Sequence, residues 1–95
     1  MTESEFTQLA DVIFARIENA LDHTDIDCNL NGGVMELELE NGAKIIINRH
    51  TPNRELWIAA KSGGFHYQLK DGQWLNTRDG TEFFSTLSEL CGITI

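Results

Sequence analysis

The sequence predicts an α+β fold: a two-layer sandwich with two helices packed on one face of an antiparallel six-stranded sheet, in the order α-β-β-β-β-β-β-α. Three observations predict it. Apolar residues recur at helical spacing only near the two ends of the chain, over residues 3–22 and after residue 80. Between them lie six short runs of strand-like alternation. Turn signals, and no helical segment, join those runs, so neighbouring strands pair antiparallel. One sheet face then takes both helices and the other faces water.

In the first helix, Thr2 and Glu5 have capping-box spacing. Phe6, Leu9, Ala10, Ile13, Ile17, Ala20 and Leu21 form the apolar stripe, flanked by Val12 and Phe14. Asp11, Glu18 and Asp22 follow one line on the solvent side, and Arg16 is the helix's only cation. After the connector His23-Thr24-Asp25, Ile26, Cys28 and Leu30 alternate with polar neighbours as a half-buried strand. Asn31-Gly32-Gly33 turns into Met35, Leu37 and Leu39, which alternate with Glu36, Glu38 and Glu40 on the outer side. Asn41-Gly42 turns again into Ile45-Ile46-Ile47. Thr51-Pro52-Asn53 breaks that strand, because proline cannot donate to a ladder. Leu56-Trp57-Ile58 resumes pairing, Ser62-Gly63-Gly64 turns into Phe65–Leu69, and Asp71-Gly72 leads to a sixth strand with Trp74. The last helix is expected to start with Asp79 as N-cap and Glu82 at N3, to bury Phe83, Leu87, Leu90 and Cys91, and to stop at Gly92.

Ninety-five residues form one domain, 1–95, with enough chain for a single core. The net charge of −8 argues against nucleic-acid backbones and anionic membranes as partners and favours cations or a basic protein surface, the plain alternative being acidity that serves only solubility. No apolar run approaches membrane-spanning length. Cys28 and Cys91 show no metal-ligand spacing and read as small buried hydrophobes in a reducing compartment.

No catalytic constellation is visible, so the chain is not expected to be an enzyme. The glycine pairs sit between strands rather than before helices, and no serine lies in a nucleophile elbow. Carboxylates are the better clue. Asp22, Asp25 and Asp27 span the helix end and first strand, with Glu18 one turn back. Oxygen ligands crowded on a surface suit hard cations at weak affinity, whereas the plain alternative is a solvated acidic face. On the sheet, period-2 alternation puts Ile45, Ile47, Leu56, Ile58, Phe65, Tyr67 and Leu69 on one face. It puts Asn48, His50, Glu55, Trp57, His66 and Gln68 on the other, where an exposed indole reads as an interface anchor. The alternative is that Trp57 packs beneath Arg49 or Arg54.

The strings Ile47-Asn48-Arg49-His50-Thr51-Pro52, Leu56-Trp57-Ile58-Ala59, Gly63-Gly64 and His66-Tyr67 resemble the frataxins, in particular the bacterial CyaY group. Ser4-Glu5-Phe6 with Leu9-Ala10-Asp11, and Asp25-Ile26-Asp27-Cys28 with Asn31-Gly32-Gly33-Val34, fit the same pattern. The resemblance covers nearly the whole chain and implies the same fold. It also implies an iron site on an acidic ridge, to which Asp11, Glu18, Asp22, Asp25 and Asp27 correspond. The connector after Asp22 is shorter than in close relatives, and Asn19 and Asn29 stand where relatives often carry acids, so fewer ions are expected.

The resemblance further implies contact with the iron–sulfur assembly machinery through the open face. Asn48 and Trp57 match, His66 joins them on that face, and His50 and Glu55 replace the family's usual glutamines. The function implied is that of an iron-binding regulator of the cysteine desulfurase, acting near the scaffold protein. Two alternatives stand beside it: a docking module with incidental metal binding, and iron storage by oligomerisation. A start without an apolar or Arg-rich leader fits a cytoplasmic bacterial member, and without iron a monomer is expected. Frataxins differ in how much tail covers the gap between the helices. Ile93-Thr94-Ile95 is short, which predicts modest stability.

Overall fold

The computed structural model describes residues 1–95. Helix α1 spans Glu3–Leu21. The expected reciprocal cap closes its start: Glu5 N–H donates to Thr2 Oγ1 at 3.1 Å, and Thr2 N–H donates to Glu5 Oε1 at 2.9 Å. Six strands follow: β1 (Asp27–Asn31), β2 (Val34–Glu38), β3 (Lys44–His50), β4 (Glu55–Ala60), β5 (Gly63–Lys70) and β6 (Gln73–Asn76). Helix α2 comprises Phe83–Cys91. Each strand pairs antiparallel with its sequence neighbours, so sheet order equals chain order. The predicted α+β sandwich is the fold observed. Neither helix is long and apolar enough to cross a membrane.

The core lies between the helix layer and one sheet face. Phe6, Ala10, Phe14, Ile17 and Leu21 of α1 and Phe83 and Leu87 of α2 close over Met35, Leu37, Ile45, Ile47, Leu56, Ile58 and Tyr67. Full burial of each large apolar side chain contributes about 1.5–3 kcal/mol, so this face fixes the register of the whole sheet. Tyr67 meets Phe83 edge-on, with ring centroids 5.3 Å apart. Ile93 and Ile95 fold back onto the same core, where the Arg16 guanidinium donates to the Ile95 carbonyl at 3.0 Å.

Several local expectations are corrected. The N-cap of α2 is Glu82, not Asp79. Leu75 bridges to Glu82 and holds it extended, and the Glu82 carboxylate then accepts from the Phe84 and Ser85 N–H groups. Asp79 instead accepts from Thr81 N–H within the preceding turn. Strand β1 begins at Asp27 because the Thr24 hydroxyl takes the Ile26 N–H into a side-chain turn. As an edge strand β1 is poorly covered, and Leu30 stays 40% exposed. Leu39 leaves β2 early, since its backbone closes the Asn41-Gly42 turn against Ala43 and Gly42.

Arg49 ties three elements together. Its N–H donates to the Gly33 carbonyl at 2.9 Å, and its Nη1 lies 3.3 Å from Asp11 Oδ1 on α1. Gly33 has φ +84, and a Cβ there would stand 3.1 Å from the Arg49 guanidinium. The left-handed backbone therefore favours glycine at this turn, and a side chain there would also have to push the arginine aside by a few tenths of an ångström.

Candidate metal ridge and docking face

The five predicted ridge carboxylates do not form one cluster. Glu18 and Asp22, from the C-terminal end of α1, line an open depression with Asp27 and Cys28 of β1. Leu21, Thr24 and Ile26 complete it, and no lysine or arginine lines it. Helix α1 carries no basic residue in its last turn, so Glu18 and Asp22 add charge to the negative end of the helix dipole. His23 is the nearest cation-forming group, with Nε2 3.9 Å from Asp22 Oδ2 and a side chain open to solvent. Asp25 turns the other way, into a groove with Glu40, Glu89 and Cys91 beside the end of α2. Asp11 stands apart, two helical turns from Glu18 and engaged by Arg49.

The sequence places Glu36 and Glu38 on the outer side of the sheet but assigns neither them nor Lys44 to a site. The β1–β2 register pairs Asp27 with Glu38 and Asn29 with Glu36, and these side chains line a second depression on the outer face. Asp27 thus belongs to both depressions. Lys44 Nζ lies 3.1 Å from Glu36 Oε1 and 4.0 Å from Glu38 Oε1. Its hydrogen bond to Glu36 and the fields of both glutamates push the ammonium pKa up. The outer depression is therefore partly neutralised and the helix-end one is not. Alternation around the Gly32-Gly33 turn was the signal that could have joined Glu36 and Glu38 to Asp27.

No three His, Cys, Asp or Glu side chains converge closely enough to form a ready-made metal cage. Exposed oxygen donors at the helix end suit a hard cation that keeps most of its water, not a structural ion. The thiols add little. Burial, and then the charge of Glu18, raise the Cys28 pKa, and burial pushes Cys91 up to about 11. Both are protonated at neutral pH and are poor ligands in that state.

The open sheet face is more ordered than its composition suggests. Asn48, Trp57 and His66 occupy one cross-strand row, and His50, Glu55 and Gln68 the next. The Trp57 indole is held between two imidazoles, not under Arg49 or Arg54. His50 lies 3.9 Å from it at an interplanar angle of 9°, and His66 lies 4.2 Å away at 7°. Arg49 is turned to the helix side instead.

Glu55 is the other surprise. It sits on the nominally open face yet is only 6% exposed. Its Oε1 accepts from Trp57 Nε1 and its Oε2 from Gln68 Nε2, each at 2.8 Å. Burial pushes its pKa up, but these two hydrogen bonds and the fields of His66 and His50 outweigh it and hold the carboxyl below its ordinary value. Ionised Glu55 therefore stabilises the fold above the unfolded-chain range, about pH 4, and that contribution is lost as pH falls through the lower folded value. Glu55→Gln is expected to be less stable than wild type at neutral pH, with the gap closing on acidification. Urea unfolding of both proteins at neutral pH and near pH 3 measures this; a gap that widens in acid would show that the charge opposes folding.

The turn between β3 and β4 is strained at one residue. Arg54 has φ +53, and its Nη1 donates back to the Thr51 carbonyl.

The family model described as Frataxin-like domain matches residues 1–95. The iron-sulfur cluster assembly protein CyaY of Neisseria meningitidis serogroup B is 52% identical over 91 residues, spanning 94% of this chain and 85% of that protein. The solved frataxin of Psychromonas ingrahamii superposes with a TM-score of 0.89 at 40% identity, covering 95% of this chain and 88% of that one. A trimeric frataxin from the yeast Saccharomyces cerevisiae, complexed with ferrous iron, gives a TM-score of 0.74 at 30% identity, covering 95% and 82%. With a family match over its whole length and relatives of this identity and coverage, the chain belongs to the frataxin family.

Proposed function

We propose that the protein is an iron-binding regulator of iron–sulfur cluster assembly, working in the bacterial cytoplasm without catalysing a reaction itself. Its partners are the cysteine desulfurase and the scaffold protein. The observation that carries this reading is the uncompensated depression at the carboxyl end of α1, which Glu18, Asp22 and Asp27 line with no lysine or arginine among them. A bound cation relieves both their mutual repulsion and the helix-end charge. Ferrous iron binds there through few protein oxygens and many waters. Asp25 adds long-range charge from the neighbouring groove, and Asp11 contributes least because Arg49 neutralises it. The same ridge faces a basic patch on the desulfurase, while Asn48, His50, Glu55, Trp57 and His66 form a second contact. The relatives' role in iron–sulfur cluster assembly and the ferrous complex of the yeast protein support the assignment.

An amide NMR titration with ferrous iron, followed by the desulfurase, tests it. Broadening is expected over residues 18–28 and should be unaffected by Asp11→Asn. Broadening centred on His50 and His66 would refute the ridge. The absence of three convergent ligands favours one alternative, a docking module whose metal binding is incidental. In that case the desulfurase affinity is the same with and without iron; in an iron adaptor it differs.

A further inference from the structure

The inference rests on the docking role of the open sheet face and concerns the chemistry that controls it. Three rings, His50, Trp57 and His66, stand in one parallel stack. Both π faces of the indole are covered, and its N–H is committed to Glu55. What the face offers a partner is the edge of the stack and the charge beneath it.

That charge is unbalanced. Glu55 is buried and ionised, and its two hydrogen bonds come from the neutral donors Trp57 and Gln68. The closest cation-forming group is His66, whose Nδ1 lies 3.9 Å from Glu55 Oε1. With neutral imidazoles the carboxylate has no counter-charge, and a partner's guanidinium or ammonium can supply one. Protonated His66 supplies it from within. His50 acts in the same sense, because its Nδ1 is buried without a hydrogen-bond partner. A proton placed there leaves an unsatisfied N–H unless the ring turns, and turning opens one side of the stack.

Other charged groups near the rings do not change this sign. Arg78 lines a small cleft with His66 and keeps its charge throughout. Arg54 is turned back onto Thr51, while Glu36, Glu38 and Lys44 lie further along the same face.

We propose that the His50–Trp57–His66 stack over Glu55 is a proton-sensitive docking face, which accepts a basic protein surface when both imidazoles are neutral and releases it when they are protonated. The basic partner follows from charge complementarity: the buried carboxylate sits in a chain of net charge −8.

The test is binding of the cysteine desulfurase at about pH 8 and about pH 6. Wild type, Trp57→Ala and the double variant His50→Gln/His66→Gln are compared, with the single variant His66→Gln in reserve should the double one fail to fold. Wild-type affinity is expected to fall roughly tenfold on acidification, and that of the double variant less than about twofold. The Trp57 indole N–H signal of the free protein should shift over the same range in wild type only. If Trp57→Ala binds like wild type at both pH values, the docking role of the face itself fails. If Trp57→Ala weakens binding but wild type and the double variant share one pH dependence, docking stands and the proton switch is overturned. Self-association through this face in place of desulfurase binding would assign it to a second copy and also overturn the proposal.

Discussion

Trp57→Ala is expected to raise the Kd for the desulfurase complex about thirtyfold, equivalent to about 2 kcal/mol, with the loss mainly in dissociation rate. The size follows from what the residue does. The indole is the middle ring of the stack and the donor that satisfies half of Glu55. Removing it takes away the largest aromatic surface on the face and frees both imidazoles. The fold should survive, because Trp57 points away from the helix layer and lies outside the buried core. Some stability should still be lost, since Glu55 loses the hydrogen bond from the indole N–H. Circular dichroism and surface-binding kinetics on the same preparation separate the two effects. A global unfolding of Trp57→Ala would mean that the stack is structural and would remove the proposed interface.

Charge reversal at Asp22 and Asp27 is the second large effect. The double change to lysine should abolish iron-induced broadening over residues 18–28 and slow association with the desulfurase by about tenfold at low ionic strength. At high salt the kinetic defect should nearly vanish, since the Debye length shrinks to about 3 Å at 1 M. The same reversal at Asp25 should leave the broadening largely in place, because Asp25 opens into the groove beside α2 and not into the depression with Glu18. The Asp22 change should also raise the melting temperature by a few degrees, because a cation replaces an anion at the negative end of α1. A ridge that costs stability while supporting binding is what a functional surface predicts. Stopped-flow association at two salt concentrations and a thermal melt measure these effects; a kinetic defect independent of salt would rule out electrostatic steering. Combined with Trp57→Ala the effects should be nearly additive, since the two surfaces share no residue.

Layer order was legible because it depends on local periodicity. The stripe from Phe6 to Leu21 and the alternation from Ile45 to Leu69 each assign a buried face without knowledge of any partner element. The second helix was legible in its body but not at its cap. Which of Asp79 and Glu82 takes that position depends on the bridge from Leu75, a contact no local pattern contains.

Sequence alone also determined which residue types the two surfaces carry, and the excess of acids over bases. Only the tertiary structure decided how they are grouped. The ridge residues lie on one stripe and one strand in the sequence, yet Arg49 removes Asp11 from the group, the connector turns Asp25 away, and the β1–β2 register adds Glu38 opposite Asp27. Likewise, alternation placed His50, Glu55, Trp57 and His66 on one face, and cross-strand pairing turned them into a ring stack over a buried carboxylate. The reason is physical: a side chain's face is set within its own strand, whereas its charge environment and stacking partners come from neighbours brought beside it by hairpin register, and register is selected by burial on the opposite side of the sheet.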